Sequence, residues 1–349
     1  MPNGYNIVCD FGQIKIMTNS KIQIPIVFIE TGRKPSKYLL NNLSIHREIF
    51  PNRKIALIVS DQYEHDVNNP DIEVISEESL PESATLNEFK SLNKTWTGLQ
   101  NNYWSNTTKR FFILDQYMQS QNIEKLIHLE SDCVLLDDNE IQNEFEKDNW
   151  GLRYPKQHAK YGCASLLVIN KPTVFDLFLK YILENWERGE ITDMDLLGEF
   201  VDLKTGAEYL PSADLLATTS IYDGVSIGRY FLGSDARNCR LPFSGRGLKD
   251  QAEGALKIVS PKIILNLKNT IIYTDTYIPE LKLNSIHIHS KRIPKNYKLL
   301  VRMILNDSKS KKSKLWRLGV FDNLVFLERL ISFIYRRFLM NKSQDLRFR

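Results

Sequence analysis

The chain has 349 residues, 42% of them hydrophobic and 25% charged, with a formal net charge of +4. That composition is ordinary globular material with enough apolar residues for a sizeable core, and it excludes disordered, fibrous and cysteine-framework classes. No apolar run approaches the ~20 residues that span a bilayer, no charged-then-apolar leader opens the chain, and the four cysteines form no Cys-x-x-Cys pair, so a soluble or peripheral protein in a reducing, cytoplasmic setting is expected.

Ile24–Ile29 is a continuous apolar run that stops at Glu30-Thr31-Gly32, which predicts a buried strand and a turn. Tyr38 to Phe50 has helical spacing and ends before Pro51. Lys54–Val59 predicts a second buried strand ending at Ser60-Asp61, and Ile72–Ile75 a third. Trp104–Ser120 reads as a helix with Phe111, Phe112, Leu114, Tyr117 and Met118 on its inner side. Leu126–Leu136 is expected as one strand, interrupted by the polar triplet Glu130-Ser131-Asp132. Further on, Cys163–Ile169 predicts a strand, Pro172–Trp186 a helix and Leu196–Asp202 another helix behind Asp193-Met194-Asp195. Alternating strands and helices imply an α/β fold with a mostly parallel sheet, whose ligands sit beyond the carboxyl ends of the strands.

Thr31, Gly32, Asp61 and the Glu130/Asp132 pair all fall at such ends. In a continuous strand, residues two apart share a face, so Glu130 and Asp132 would converge and need a cation between them. Mg²⁺ and Mn²⁺ prefer one or two carboxylates plus phosphate oxygens. Far along the chain, Ser285–Arg292 places His287, His289 and Lys291 on one face if extended. Either imidazole could complete a three-ligand site; His289, next to Ser290-Lys291, is the expected one, with Lys291 donating to phosphate. Arg110, in the helix feeding the acidic strand, is expected with Thr31, Gly32 and Asp61 around a nucleoside.

These residues resemble a family. His128-Leu129-Glu130-Ser131-Asp132-Cys133-Val134-Leu135 is similar to the strand-end Asp-x-Asp segment of GT-A-class glycosyltransferases, with Glu130 in place of the usual first Asp. His287-Ile288-His289-Ser290-Lys291 resembles the carboxy-terminal His-and-Lys element that closes over metal and diphosphate in many such enzymes, and Thr192–Leu197 resembles a segment of the glycogenin-like retaining members, with Met194 where Gln is usual. Tyr222–Asn238 is similar to a segment of poorly characterised bacterial and large-virus members. The resemblance implies a single GT-A-like domain over residues 1–294, with a nucleotide-sugar half at about 22–136 and an acceptor half at about 150–294. It implies a nucleotide-sugar donor, a saccharide or lipid-linked saccharide acceptor, and Mn²⁺ or Mg²⁺ as cofactor. With the stereochemistry open, Asp223 is the expected general base and Asp195 the expected donor-sugar ligand, while Asp223 or Asp235 could hold sugar hydroxyls. A metal-dependent phosphohydrolase, a nucleotidyltransferase and a non-catalytic glycan-binding module remain as alternatives.

Charge is unevenly spread. Residues 295–349 hold 14 Lys/Arg against 4 Asp/Glu, net +10, which leaves the first 294 at −6. Within that basic extension, apolar residues recur at Val320, Leu324, Leu327, Ile331, Ile334 and Phe338. The pattern predicts an amphipathic helix over about 309–340 that could lie on an anionic membrane, pack on the catalytic body or join subunits. Nucleic acid is not an expected partner, since no nucleic-acid-binding fold surrounds the basic residues.

Overall fold

The computed structural model describes residues 7–10, 13–16, 24–67, 69–92, 101–147, 149–158, 161–186, 191–212, 220–225, 227–228, 262–266, 269–273 and 281–304. The tail over 309–340, Asp235 and the rest of the Tyr222–Asn238 segment beyond Gly228 lie outside them. In chain order the strands are β1 (Ile7–Asp10), β2 (Gln13–Ile16), β3 (Ile26–Glu30), β4 (Ile55–Val59), β5 (Glu73–Ser76), β6 (Leu126–Leu129), β7 (Cys133–Leu135), β8 (Leu152–His158), β9 (Tyr161–Gly162), β10 (Leu166–Ile169), β11 (Ala207–Leu210), β12 (Ser220–Tyr222), β13 (Lys262–Asn266), β14 (Asn269–Tyr273) and β15 (Leu281–His287). The helices are α1 (Lys37–Ile49), α2 (Ala84–Leu92), α3 (Asn101–Gln121), α4 (Asn139–Glu144), α5 (Pro172–Asn185) and α6 (Asp193–Asp202).

The expected α/β class with a mostly parallel central sheet is what the structure shows. The main sheet runs β11-β8-β10-β6-β3-β4-β5. Its β6-β3-β4-β5 portion is parallel, β10 is antiparallel to both β6 and β8, and β11 pairs parallel to β8. The strands read as unbroken apolar runs because both faces are covered. Alternate residues go to opposite sides: Val27, Ala56 and Ile58 join the core under α2, α3, α5 and α6, while Ile26, Phe28 and Leu57 join the core under α1 and α4. Each such buried aliphatic or aromatic side chain is worth ~1.5–3 kcal/mol relative to exposure.

Helix starts follow local chemistry. The Ser36 hydroxyl accepts the Leu39 N–H at the head of α1, Pro172 occupies the first turn of α5, and Thr192 with Asp195 forms a capping box on α6.

A second sheet, β12-β15-β14-β13 with β7 on β15, lies against the first. Here the structure departs from expectation. Leu126–Leu136 is not one strand: β6 belongs to the main sheet, β7 pairs antiparallel with β15 in the second, and Glu130-Ser131-Asp132 is the turn between them. Likewise the strand carrying His287 ends there, and His289-Ser290 is a turn. The Glu130 N–H still bonds the Ser165 carbonyl next to β10, and the Asp132 carbonyl accepts the Ile288 N–H next to β15, so the chain changes ladders across these three residues.

Residues 297–304 are helical, and Leu300 and Ile304 are buried in a third core cluster with Ile45, Ile286 and Ile293. The compositional boundary at residue 294 therefore falls ahead of a helix that packs on the body. No helix among the described residues is long and apolar enough to cross a membrane.

Candidate functional site

In the main sheet the chain runs outward from β3 through β4 to β5, then returns to place β6 on the other side of β3. The crevice beyond the carboxyl ends of β3 and β6 is thus the switch point where open α/β sheets bind ligands. Glu30 ends β3, and the Glu130–Asp132 turn follows β6.

Side chains from α1 fix that turn. The Asn42 side-chain amide donates to the carbonyls of Ser131 at 3.0 Å and Cys133 at 2.8 Å. His46 Nε2 accepts the Leu135 N–H at 3.0 Å while Nδ1 donates to the Asn42 carbonyl at 2.9 Å. Burial lowers the His46 pKa to about 4, keeping the ring neutral and able to accept. The Cys133 N–H bonds back to the Glu130 carbonyl at 3.0 Å, closing the turn.

With the turn held, Glu130 and Asp132 converge after all, and one imidazole joins them. Glu130, Asp132 and His287 each offer a ligand atom, and these atoms lie within 4.8 Å of one another. His287 Nε2 is 3.1 Å from Asp132 Oδ2 and 3.7 Å from Glu130 Oε2. The structure therefore brings His287 into the cluster, where His289 was expected. The reason is that β15 ends at His287, so the alternation that would have aligned both rings stops; the His289 ring centroid is 6.0 Å from that of His287.

Lys291 returns to the same point. A turn closed by the Lys291 N–H to the Ile288 carbonyl at 2.8 Å holds Lys291 at φ +59, a conformation that non-glycine residues seldom take. Its ammonium bonds Asp132 Oδ2 and stands 5.6 Å from the Tyr38 ring centroid. On the other side Arg110 is buried between two acids, with one guanidinium nitrogen on Glu130 and the other 2.6 Å from Asp193 Oδ2.

These contacts set the charges. Burial works against ionised Asp132, but His287 and Lys291 outweigh it and hold the carboxyl well below the usual carboxylate range. Glu130, half-buried, is likewise lowered: desolvation opposes its charge and Arg110 chiefly outweighs it. Burial opposes the His287 proton, yet Asp132 raises its pKa well above the ordinary value. Asp193 goes the other way: burial dominates, Arg110 only partly offsets it, and the carboxyl rises to about 6.

The remaining expected residues fall into two groups. Thr31 and Gly32 form the turn after β3, where Gly32 takes φ +75 and donates its N–H to Ser60 Oγ at 2.8 Å. Asp61 is exposed at the end of β4, with its N–H on the Glu78 carboxylate at 2.7 Å. Both lie along the carboxyl edge of the sheet, as the strand order led one to expect.

Asp195 and Asp223 do not present open carboxylates. Asp195 Oδ2 accepts the Thr192 N–H at 3.2 Å and hydroxyl at 2.6 Å, which closes the α6 capping box. It is Asp193, two residues earlier, that joins the cluster. Asp223 is 2% exposed, and its carboxylate accepts three main-chain N–H groups: Ile227 at 3.0 Å, Gly228 at 2.7 Å and His287 at 3.0 Å. Both Asp223 oxygens are thus engaged by the backbone, which argues against the general-base role expected of it.

Sequence reasoning passed over Glu30, Asn42 and Asp193. Glu30 is buried, accepts from the Ser131 hydroxyl and pairs with Arg33 at 2.9 Å. Its signal was an acid as the last residue of an apolar run. Asn42 had none, since a lone Asn inside a helix pattern is ordinarily solvated.

No protein-family model matches the chain, and no curated protein matches it. Among solved structures, mouse xyloside xylosyltransferase 1 in its apo form is similar at 9% identity and TM-score 0.39, over 57% of this chain and 87% of that one. The galactosyltransferase LgtC with donor and acceptor sugar analogues is similar at 16% identity and TM-score 0.36, over 57% of this chain and 76% of that one. A putative glucose-1-phosphate thymidylyltransferase from Bacillus anthracis is similar at 9% identity and TM-score 0.33, over 54% and 86%. At such values the likenesses assign no activity, and the reading of function rests on the site.

Proposed function

We propose that this chain is a metal-dependent glycosyltransferase that moves a sugar from a nucleotide-sugar donor to a saccharide or lipid-linked saccharide acceptor. The observation that carries the reading is the convergence of Glu130, Asp132 and His287 at the sheet's switch point, with Lys291 beside them. Two carboxylates and an imidazole nitrogen suit Mn²⁺ or Mg²⁺ and leave coordination positions for phosphate oxygens. A cation held by these three would stabilise charge on the departing nucleoside diphosphate.

The chain's own residues do the rest. Lys291 donates to a diphosphate oxygen. Arg110, paired with Asp193, holds Glu130 ionised beside the nucleotide. Thr31, Gly32 and Asp61 line the nucleoside side of the crevice. The turn Glu30-Thr31-Gly32-Arg33-Lys34-Pro35 has a single glycine, which disfavours the Gly-rich phosphate loop of a nucleotidyltransferase. On charge and periodicity alone, residues 309–340 are proposed to bring the enzyme to the anionic cytoplasmic face of a membrane, where a lipid-linked acceptor would be met.

The test is a panel of nucleotide sugars with Mn²⁺, read by release of nucleoside diphosphate. Chelator-sensitive release that rises with added saccharide supports the proposal. Release of inorganic phosphate instead points to a phosphohydrolase, and pyrophosphate from a nucleoside triphosphate with a sugar phosphate points to a nucleotidyltransferase. Binding of glycan without any turnover makes the protein a binding module.

A further inference from the structure

Residues 222–225 and 227–228 reach the metal cluster through its imidazole member, His287. They meet it at three points. The Asp223 carboxylate accepts the His287 main-chain N–H at 3.0 Å. The Gly224 carbonyl accepts His287 Nδ1–H at 2.7 Å. Gly228 lies so close to the His287 carbonyl that a Cβ at that position would overlap its oxygen. Backbone and ring of one residue are thus gripped by a stretch some 60 positions away in the chain.

The grip is itself braced. Asp223 binds the Ile227 and Gly228 N–H groups at 3.0 and 2.7 Å, which folds the segment back on itself, and the Asp223 N–H donates to Ser285 Oγ at 3.1 Å. The Cys163 thiol donates to the same Gly224 carbonyl at 2.9 Å. Gly224 leaves no room for a side chain either: a Cβ would fall 2.5 Å from the Lys156 carbonyl oxygen. Cys163, Asp223, Gly224, Ile227, Gly228, Ser285 and His287 are all buried.

Donation of Nδ1–H to a backbone carbonyl leaves Nε2 as the nitrogen that faces Asp132 and Glu130. A ring whose other nitrogen is fixed in this way is held in one tautomer and one orientation, and outer partners of this kind raise metal affinity. We infer that Asp223 is a positioning residue: with Gly224 and Gly228 it locks the rotamer and tautomer of His287 and so sets the affinity of the site for a divalent cation. This rests on the metal-site reading above. It also explains why an aspartate is needed. Asparagine has one acceptor oxygen, so its NH₂ would confront an N–H donor where the carboxylate accepts.

The experiment compares wild type and Asp223→Asn for Mn²⁺ binding, by titration calorimetry and by the ¹⁴N coupling that an imidazole ligand imprints on the Mn²⁺ electron spin echo. Circular dichroism and a melting curve check folding. The expected result is about 10- to 100-fold weaker binding, with the ¹⁴N coupling lost or altered. Ser285→Ala, which removes only the brace on the Asp223 N–H, should keep the fold and weaken binding by a smaller factor if Asp223→Asn does not fold. Wild-type affinity and coupling in the folded Asp223→Asn variant, or in Ser285→Ala where that is the variant that folds, overturn the inference while leaving the metal site standing. Absence of Mn²⁺ binding by wild-type protein removes the metal reading and the clamp with it.

Discussion

Replacing Arg110 with Met tests the electrostatic frame of the site. Arg110 is 8% exposed and is shared by Glu130 and Asp193. Met keeps most of the length and apolar bulk but leaves the buried Asp193 and the half-buried Glu130 without their cation. Removing one partner of a buried ion pair costs ~3–5 kcal/mol. The pH dependence follows from Asp193, whose carboxyl sits at about 6 against 3.8 in an unperturbed chain, with burial as the main cause. Below pH ~4 both folded and unfolded states hold that proton, and Asp193 contributes no penalty. As pH rises toward 6 the unfolded chain releases it first, so stability falls, by ~3 kcal/mol when the titration is complete. Without Arg110 the folded pKa rises further, and the loss extends to higher pH. Urea unfolding with chelator present, at pH 8 and at pH 5.5, should show the Arg110→Met variant ~3–5 kcal/mol less stable than wild type at the higher pH and closer to it at the lower. Groups remote from Arg110 cancel in that difference, and Glu130, which Arg110 also lowers, shifts in the same direction when the guanidinium is removed. A loss under ~1 kcal/mol at pH 8, or one equally large at pH 5.5, refutes the reasoning.

Asp132→Asn should reduce nucleoside diphosphate release ~10²–10³-fold, with far-ultraviolet circular dichroism unchanged; full turnover in this variant removes Asp132 from the site. Lys291→Ala should raise the donor KM by roughly 10-fold or more, the worth of one charge-assisted hydrogen bond, while Mn²⁺ still binds; an unchanged KM dissociates Lys291 from the diphosphate. Truncation after Ile304 should leave a folded protein that turns over a soluble acceptor analogue but no longer sediments with anionic vesicles at low salt. Truncation after Pro294 should in addition cost ~3–6 kcal/mol, because Leu300 and Ile304 leave the third core cluster; equal melting temperatures for the two truncations contradict that packing.

The main sheet was legible because its strands are buried on both faces. Ile26–Glu30, Ile55–Val59 and Leu166–Ile169 announce themselves as apolar runs, and Phe111, Phe112, Leu114, Tyr117 and Met118 announce the inner face of α3. What the pattern could not carry was partnership. Nothing in Leu126–Leu136 says that its two ends pair in different sheets, since β6 and β7 are both apolar and only their partners β3 and β15 distinguish them. That His287 and not His289 lies in the cluster was illegible for the same reason: it hangs on where β15 stops. Asp223 and Asp195 were chosen as open acids from the segments they lie in. Their carboxylates are used by main-chain donors, a fate decided by turn and cap geometry that spacing does not encode.

The three-residue turn at Glu130–Asp132 has a bearing on how such a site can vary. Leu129 is in register with Phe28 and Leu166 in one sheet, and Cys133 with His287 in the other. An inserted or deleted residue between them would have to slip a strand, and a slip of one position turns every side chain of that strand to the wrong face. A change of side-chain length at Glu130 is therefore easier to accommodate than a change in the residue count of the turn. Glu130, longer by one methylene than the aspartate usual in the similar segment, is a change of the easier kind: reach is adjusted inside a loop whose residue count two sheets hold fixed.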